Sequence, residues 1–389
     1  MRETIAQRFA SPARPDGEGR TPVRAEGGAA AGAGLVRAQV VRLDRGYPLV
    51  RSEDGRSIRC EHATDLVKTA DVRAVVGDFV EVEWPEESDG IEGHDKGIIA
   101  RILPRSTKLV RKDPAERALP QVLAANFDLV IVAQPLAEVN LRRLERELVL
   151  AFETGARVAV VLTKADLADD AARAEEMRAR VEALVGADVP VIVMSAVGGE
   201  GGEPEGVGAV RALIGDGETA VLIGKSGVGK SSLVNLLAGA DVQETGSVRA
   251  FDGKGRHTTV SREIVDLPGG GRVVDMPGVR GLGMWESDAG IGVAFADVES
   301  FAAECRFRDC RHQDEPGCAV RAAVKAGELA SERLASYLEL KRETDDARIR
   351  RIEADRRAGE GKPGSRAGVA RRAQRAAGGA KKGKRRRSR

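Results

Sequence analysis

Between Leu35 and about Leu103, apolar and polar residues alternate in five short runs: "LVRAQVVRL", "YPLVRS", "SIRCEH", "DFVEVEW" and "GIIARIL". A period of two marks half-buried strands, and the intervening "DRG" and "SEDG" are turn formers. Five strands in some 70 residues, with no long helical pattern, predict a small barrel over residues 35–104. An OB-like β-barrel is the expected form; an SH3-like barrel would produce the same pattern. After the linker "PRSTKLVRKDPAERALPQ" the rhythm changes. Unbroken apolar runs ("FDLVIVAQ", "RVAVVL", "VPVIVMSA", "ETAVLIG") alternate with helical periods ("NLRRLERELVLAFETG", "DDAARAEEMRARVEALVG", "KSSLVNLLAG"). That alternation predicts a mostly parallel sheet covered on both faces, an α/β domain over residues 105–283. A third segment, 284–350, ends in one long helical stretch around "RAAVKAGELASERLASYLELKRETDDARIRRIE".

Composition adds the two ends. Residues 1–34 are rich in Gly, Ala, Pro and charge and read as a disordered extension. From Arg351 to Arg389 fifteen Lys/Arg face three Asp/Glu, an excess of twelve, which leaves the rest of the chain at −10 against the overall +2. Residues 351–389 therefore read as a basic, disordered tail suited to a polyanionic partner. No apolar run approaches the roughly 20 residues of a membrane span, and the N-terminus lacks an apolar signal core. A soluble, cytoplasmic protein is expected, and nothing demands more than a monomer.

Residues 224–232, "GKSGVGKSS", match G-x-x-x-x-G-K-[ST] between a strand pattern and a helix pattern. Gly224, Lys225, Ser226, Gly227, Val228 and Gly229 are the expected phosphate cradle, because glycines let consecutive N–H groups turn inward around phosphate oxygens. Lys230 is expected to reach the β/γ-phosphates and Ser231, beside Ser232, to ligate Mg²⁺. Upstream, Thr163, Lys164, Ala165 and Asp166 resemble the guanine-reading tetrapeptide of GTPases, with Thr in place of the usual Asn. Asp166 would accept hydrogen bonds from guanine N1–H and the exocyclic amine; adenine lacks that donor pair and would leave the carboxylate unpaired. Ser195 and Ala196 in "MSA" fit the loop that backs the base. Asp275 and Gly278 in "DMPG" match the element that holds Mg²⁺ through water and senses the γ-phosphate. Thr259 in "HTTV" supplies the switch threonine, a Mg²⁺ ligand.

The order along the chain is guanine reader, base-backing loop, phosphate loop, switch threonine, D-x-P-G. That is a circular permutation of a GTPase, tolerated when the new breaks fall in surface connections. Val279 stands where Ras-like enzymes carry a water-orienting glutamine, so the isolated protein is expected to be slow. His257 is the internal candidate for positioning the attacking water, as a neutral imidazole.

Three of the four cysteines cluster with a histidine: Cys305, Cys310, His312 and Cys318. Three thiolates and one imidazole within fourteen residues suit a closed, structural Zn²⁺ site with no open position for catalysis. Cys60, alone in a strand-like run, reads as a plain buried thiol, and His62 and His94 as surface residues.

The permuted motifs, the preceding barrel and "CRFRDCRHQDEPGC" after the GTPase segment together resemble the ribosome small-subunit-dependent GTPase RsgA (YjeQ) family. "GKSGVGKSS", "GRHTT" and "DMPGVR" carry the likeness, which covers about residues 35–350. It implies an OB-like barrel, a permuted GTPase domain and a mostly helical zinc domain. It also implies a catalytic His257, GTP/GDP and Mg²⁺ in the cleft, and a late role in maturing the 30S subunit and its 16S rRNA, with hydrolysis driving release. Two other classes stay open: an RNA-binding module with a regulatory guanine-nucleotide site and little turnover, and an ATPase in which Asp166 is irrelevant.

Overall fold

The computed structural model describes residues 34–44, 47–66, 73–85, 96–112, 120–168, 170–197, 204–242, 262–276, 283–285 and 287–359. The extension before Gly34 and the tail beyond Gly359 lie outside them. Five strands, β1 (Leu35–Asp44), β2 (Tyr47–Ser52), β3 (Ser57–His62), β4 (Phe79–Glu83) and β5 (Gly97–Ile102), match the five alternating runs. They pair in the order β1-β2-β3-β5-β4, and β4 closes back on β1. β3 and β5 are parallel, the OB-type closure. Inward-facing Val40, Val50, Cys60, Val80, Val82 and Ile99 fill the barrel. A bulge between Val40 and Arg42 bends β1, and bulges let one strand serve two directions.

The linker holds more than was expected of it. β6 (Lys108–Lys112) and β7 (Pro120–Ala125) form a two-stranded antiparallel hairpin. Leu109 and Leu123, both fully buried, peg it into the main core. Beyond it come β8 (Leu129–Pro135), α1 (Leu141–Glu153), β9 (Arg157–Thr163), α2 (Ala171–Val185), β10 (Val191–Val193), α3 (Val207–Ala212), β11 (Thr219–Ile223), α4 (Lys230–Ala238), β12 (Arg262–Asp266) and β13 (Arg272–Asp275). Strands β10, β9, β8, β11 and β13 run parallel in that spatial order, and β12 adds an antiparallel edge. β8, β9 and β11 are buried almost end to end, as parallel strands covered on both faces must be. The barrel joins this sheet directly: Arg42 and Leu43 of β1 pair with Glu263 and Arg262 of β12.

The C-terminal part is helical: α5 (Asp288–Ala294), α6 (Ala296–Ala302), the cysteine segment, α7 (Ala319–Ala326) and α8 (Ser331–Gly359). The single long helix read from the sequence is two, separated at Gly327, whose φ of 77° closes α7 with a left-handed cap. α8 in turn continues past Arg350 to Gly359, so residues 351–359, assigned to the tail from their charge, are helical. Among the described residues no helix is long and apolar enough to cross a membrane.

Helix α1 is packed on two sides. Leu144, Leu148 and Ala151 face the sheet, while Val149 and Leu150 join Met284, Ile291 and Phe295 of the C-terminal part. Gly290 makes the approach feasible, since a Cβ there would stand 2.1 Å from the Val149 carbonyl oxygen. Asn140 starts the helix by accepting the Arg143 N–H at 3.0 Å.

Candidate functional site

β11 lies between β8 and β13, and its C-terminal end opens into residues 224–229 before α4 begins at Lys230. Gly224, Gly227 and Gly229 take φ of 144°, 83° and 101°, a region closed to most L-residues. A Cβ on Gly224 would meet the Ala133 carbonyl oxygen at 2.5 Å, so the loop hugs the end of β8. Lys230 Nζ donates to the carbonyls of Gly224 and Lys225, both at 2.8 Å, and so lies folded across the loop. Lys225, Ser226 and Gly227 are exposed, Val228 is buried, and Ser231 and Ser232 are half-buried at the start of the helix.

The candidate guanine reader follows β9, two strands from the phosphate loop. Thr163 is fully buried. Its hydroxyl lies 3.2 Å from the Gln134 carbonyl oxygen and closer still to that of Val228, inside the phosphate loop. A threonine hydroxyl has one proton to donate, and the shorter contact is the one to Val228. The first residue of "TKAD" thus fastens the base side of the cleft to its phosphate side. Lys164 then turns into the left-handed region (φ 56°), a cost of about 1 kcal/mol for a residue with a Cβ. Asp166 is exposed at the cleft, with Ser195 Oγ 2.9 Å from its Oδ1. The Ala165 N–H donates to the Met194 carbonyl at 3.1 Å, which docks "TKAD" onto "MSA", and Ala196 is exposed beside Ser195.

Asp275 ends β13, the strand beside β11. Its side chain lies outside the described residues, as do Gly278, His257 and Thr259. Two buried polar residues at this cleft escaped the sequence reading. Gln134 (2% exposed) donates its amide to Glu147 (3% exposed), whose other oxygen meets Arg143 Nε at 3.2 Å. The available signal was a Gln at the end of a wholly apolar strand and a Glu on the apolar stripe of an amphipathic helix.

Cys305, Cys310, His312 and Cys318 converge: their ligand atoms all lie within 4.8 Å of one another. Cys305 Sγ to His312 Nδ1 is 3.6 Å, Cys318 Sγ to the same nitrogen 3.5 Å, and the two sulfurs are 3.9 Å apart. Burial holds the His312 imidazole below its ordinary pKa and therefore neutral, the form that ligates. Burial raises the Cys305 thiol, but backbone N–H groups of Val320 and Ala319 at the head of α7, together with the Cys310 and Cys318 side chains, hold the group below the usual thiol value. Cys60 has no such surroundings: burial alone pushes its thiol up to about 12. His62, read as a surface residue, is half-buried and accepts the Ala74 N–H at 2.9 Å, so it staples the barrel. His94 lies outside the described residues.

A family model described as RsgA GTPase matches residues 102–285. The small ribosomal subunit biogenesis GTPase RsgA of Streptomyces avermitilis is 43% identical over 341 residues, spanning 85% of this chain and 87% of that one. The chain belongs to the RsgA GTPase family. The RsgA of Syntrophotalea carbinolica is 39% identical over 82% of this chain and 86% of that protein. Among solved structures, YjeQ from Thermotoga maritima superposes with a TM-score of 0.57 at 26% identity, covering 79% of this chain and 97% of its own. YloQ, described as a circularly permuted GTPase, shares the fold at a TM-score of 0.54, over 82% of this chain and 98% of its own.

In this RsgA chain permutation leaves the cleft intact because all its loops leave the same edge of the parallel sheet. β9, β10, β11 and β13 each end there, whichever is reached first along the sequence. α1 contributes Leu144, Leu148 and Ala151 to the core of the sheet and Val149 and Leu150 to the apolar cluster that holds Cys318.

Proposed function

We propose that this chain is a GTPase switch of the small ribosomal subunit. It binds GTP in the cleft between "TKAD" and the phosphate loop, turns it over when engaged on the 30S particle, and leaves as GDP forms. The observation that carries the reading is the Thr163 hydroxyl on the Val228 carbonyl. It ties the segment that carries Asp166 to the loop that leads into Lys230, as a single cleft for one guanine nucleotide requires. Asp166 with Ser195 and Ala196 reads the base; residues 224–230 wrap the phosphates, with Lys230 swinging from the loop carbonyls onto β/γ oxygens. Mg²⁺, held by Ser231, Thr259 and Asp275, supplies charge neutralisation there. Val279 cannot orient water, so His257 takes that task on the ribosome.

The cysteine cluster fits zinc. Tetrahedral Zn–S bonds of about 2.3 Å set ligand–ligand edges near 3.8 Å; the three edges among Cys305, His312 and Cys318 are 3.5–3.9 Å, and Cys310 lies within 4.8 Å of them. With four protein ligands the ion is structural. The partner is 16S rRNA on the assembling subunit, met by the barrel and by the cationic tail through salt-sensitive phosphate contacts. The setting is cytoplasmic and the working form a monomer.

The test is GTP hydrolysis with and without purified 30S subunits. Stimulation of at least tenfold, lost in His257→Ala while nucleotide affinity holds, is expected. Equal rates with and without subunits would leave only a nucleotide-regulated RNA-binding module.

A further inference from the structure

Glu147 is a carboxyl group almost completely shut from water, in a helix stripe that otherwise packs on the sheet. Its chemistry is turned toward the nucleotide cleft. Gln134, which donates to it, is the residue whose backbone carbonyl faces the Thr163 hydroxyl, and its neighbour Ala133 is the residue against which Gly224 packs. Glu147 therefore stands behind the phosphate loop, joined through the Gln134 side chain to the end of β8 on which that loop packs. Both carboxylate oxygens have donors, the Gln134 amide and the Arg143 guanidinium. Burial raises its pKa, opposed by these two donors and by the charge of Lys230. Lys230 acts on this carboxylate through its charge, with Nζ donating to the Gly224 and Lys225 carbonyls.

A negative charge behind a polyphosphate site has two opposite effects. It attracts the lysine, and it repels the phosphates. The attraction exists before and after nucleotide binds, because Lys230 swings only from the loop carbonyls to phosphates held by the same loop, so most of it cancels. Repulsion exists only in the bound state and scales with the charge that arrives. The second effect therefore sets the sign.

We propose that Glu147 is a specificity-setting residue: its buried carboxylate, held behind the phosphate loop by Gln134, weakens nucleotide binding in proportion to phosphate charge and narrows the preference for GTP over GDP. A switch that must let go of its nucleotide gains from such a brake. The idea rests on the reading that Lys230 and residues 224–231 receive the phosphates.

The experiment measures dissociation constants of GTP, GDP and guanosine, with Mg²⁺, for the full chain and for Glu147→Gln, an isosteric change that keeps a partner for Gln134. Each unit of phosphate charge should bring a few-fold tightening in the variant, the size expected for charges on the order of 10 Å apart with partial screening. GTP gains most, GDP less, and guanosine nothing. Equal changes for all three ligands would mean a structural role, and a loss graded with charge would mean that the carboxylate orients Lys230; either overturns the proposal. If Glu147→Gln does not fold, Glu147→Leu carries the same prediction, and its melting temperature reports folding separately. An unmodified chain that binds GTP no better than guanosine would instead sink the assignment of the phosphate loop.

Discussion

The GTPase sheet is flanked by two seams built on different principles. On the barrel side the contact is carried by backbone and polar groups. Two residue pairs join β1 to β12, Arg272 donates to Gln39 at 2.9 Å, and Arg51 meets Asp266 at 2.9 Å with both side chains about half exposed. Val41 and Ile264 add modest apolar contact. On the C-terminal side the contact is a core of its own, in which Val149 and Leu150 of α1 pack with Ile291, Phe295, Val320 and Leu340. At its rim Arg333, 10% exposed, binds Glu145 at 2.7 Å and Asp297 at 3.0 Å and stacks on Phe295 at 4.1 Å. A polar, register-dependent seam can be shifted at little cost; an apolar one around a buried cation moves as a block or not at all. β12, the barrel's attachment, begins directly after residues 243–261, which hold Thr259, the proposed switch threonine. The comparison therefore predicts that any nucleotide-driven movement is taken up at the barrel seam and not at the C-terminal one.

The largest effect should come from removing the metal. Cys305 and Cys318 belong to the same apolar cluster as Val149, so the C-terminal seam is built on the proposed metal site. Structural zinc contributes apparent free energies on the order of 10 kcal/mol. Chelation, or Cys318→Ser, should release one zinc per chain and open residues 287–359 to hydrogen exchange, while the barrel strands stay protected. Loss of protection in the barrel first would reverse the comparison. Next in size is Arg333→Met, which strands Glu145 as a buried, unpaired charge at a cost of about 3–5 kcal/mol. Adding Glu145→Leu should recover most of that loss in a denaturant titration, because the penalty is the orphaned charge and not the missing bridge.

How much of this was visible in the chain follows from range. The five barrel strands and the parallel sheet announce themselves through local period, and the cysteine cluster is local too, with its four ligands within fourteen residues. The loops of the cleft were legible as motifs although they are far apart in sequence, because phosphate and base chemistry restrict residue type. The β6–β7 hairpin was hidden because Leu109 is a lone buried peg among the charges of "KLVRK", while Leu123, Ala124 and Ala125 are buried in succession, so neither short strand shows a period of two. Gln134 and Glu147 were hidden for a related reason: each breaks a local pattern, and the partner that explains the break lies on another element. The break of the long helix at Gly327 could have been read from the glycine, whereas the helical character of residues 351–359 was masked by their charge.

Between the seams, Thr163→Val keeps the shape of the buried side chain and deletes its hydroxyl. It leaves the Val228 carbonyl without its bond, at about 1–3 kcal/mol. GTP affinity should fall roughly tenfold or more, since 1.4 kcal/mol is a factor of ten, and both seams should keep their protection. Thr163→Ser, which restores the hydroxyl, should recover most of the affinity. A loss confined to the phosphates, with guanosine affinity unchanged, would show that the tie to "TKAD" is dispensable.

The smallest effect is the one that most sharpens the contrast. Arg51 and Asp266 form an ion pair across the barrel seam, 43% and 57% exposed. A pair so open to solvent contributes about 0–1 kcal/mol. Arg51→Ala should therefore leave the melting temperature nearly unchanged, and 1 M salt should abolish even that difference, because the screening length falls to about 3 Å. Its influence on exchange should still be detectable, because Asp266 closes β12 and only two backbone pairs hold that strand to the barrel. Faster hydrogen exchange at Arg42 and Leu43, with none at Val149 or Leu150, is the expected pattern. Matching acceleration at both seams would mean that the sheet transmits strain evenly and that the barrel has no special freedom.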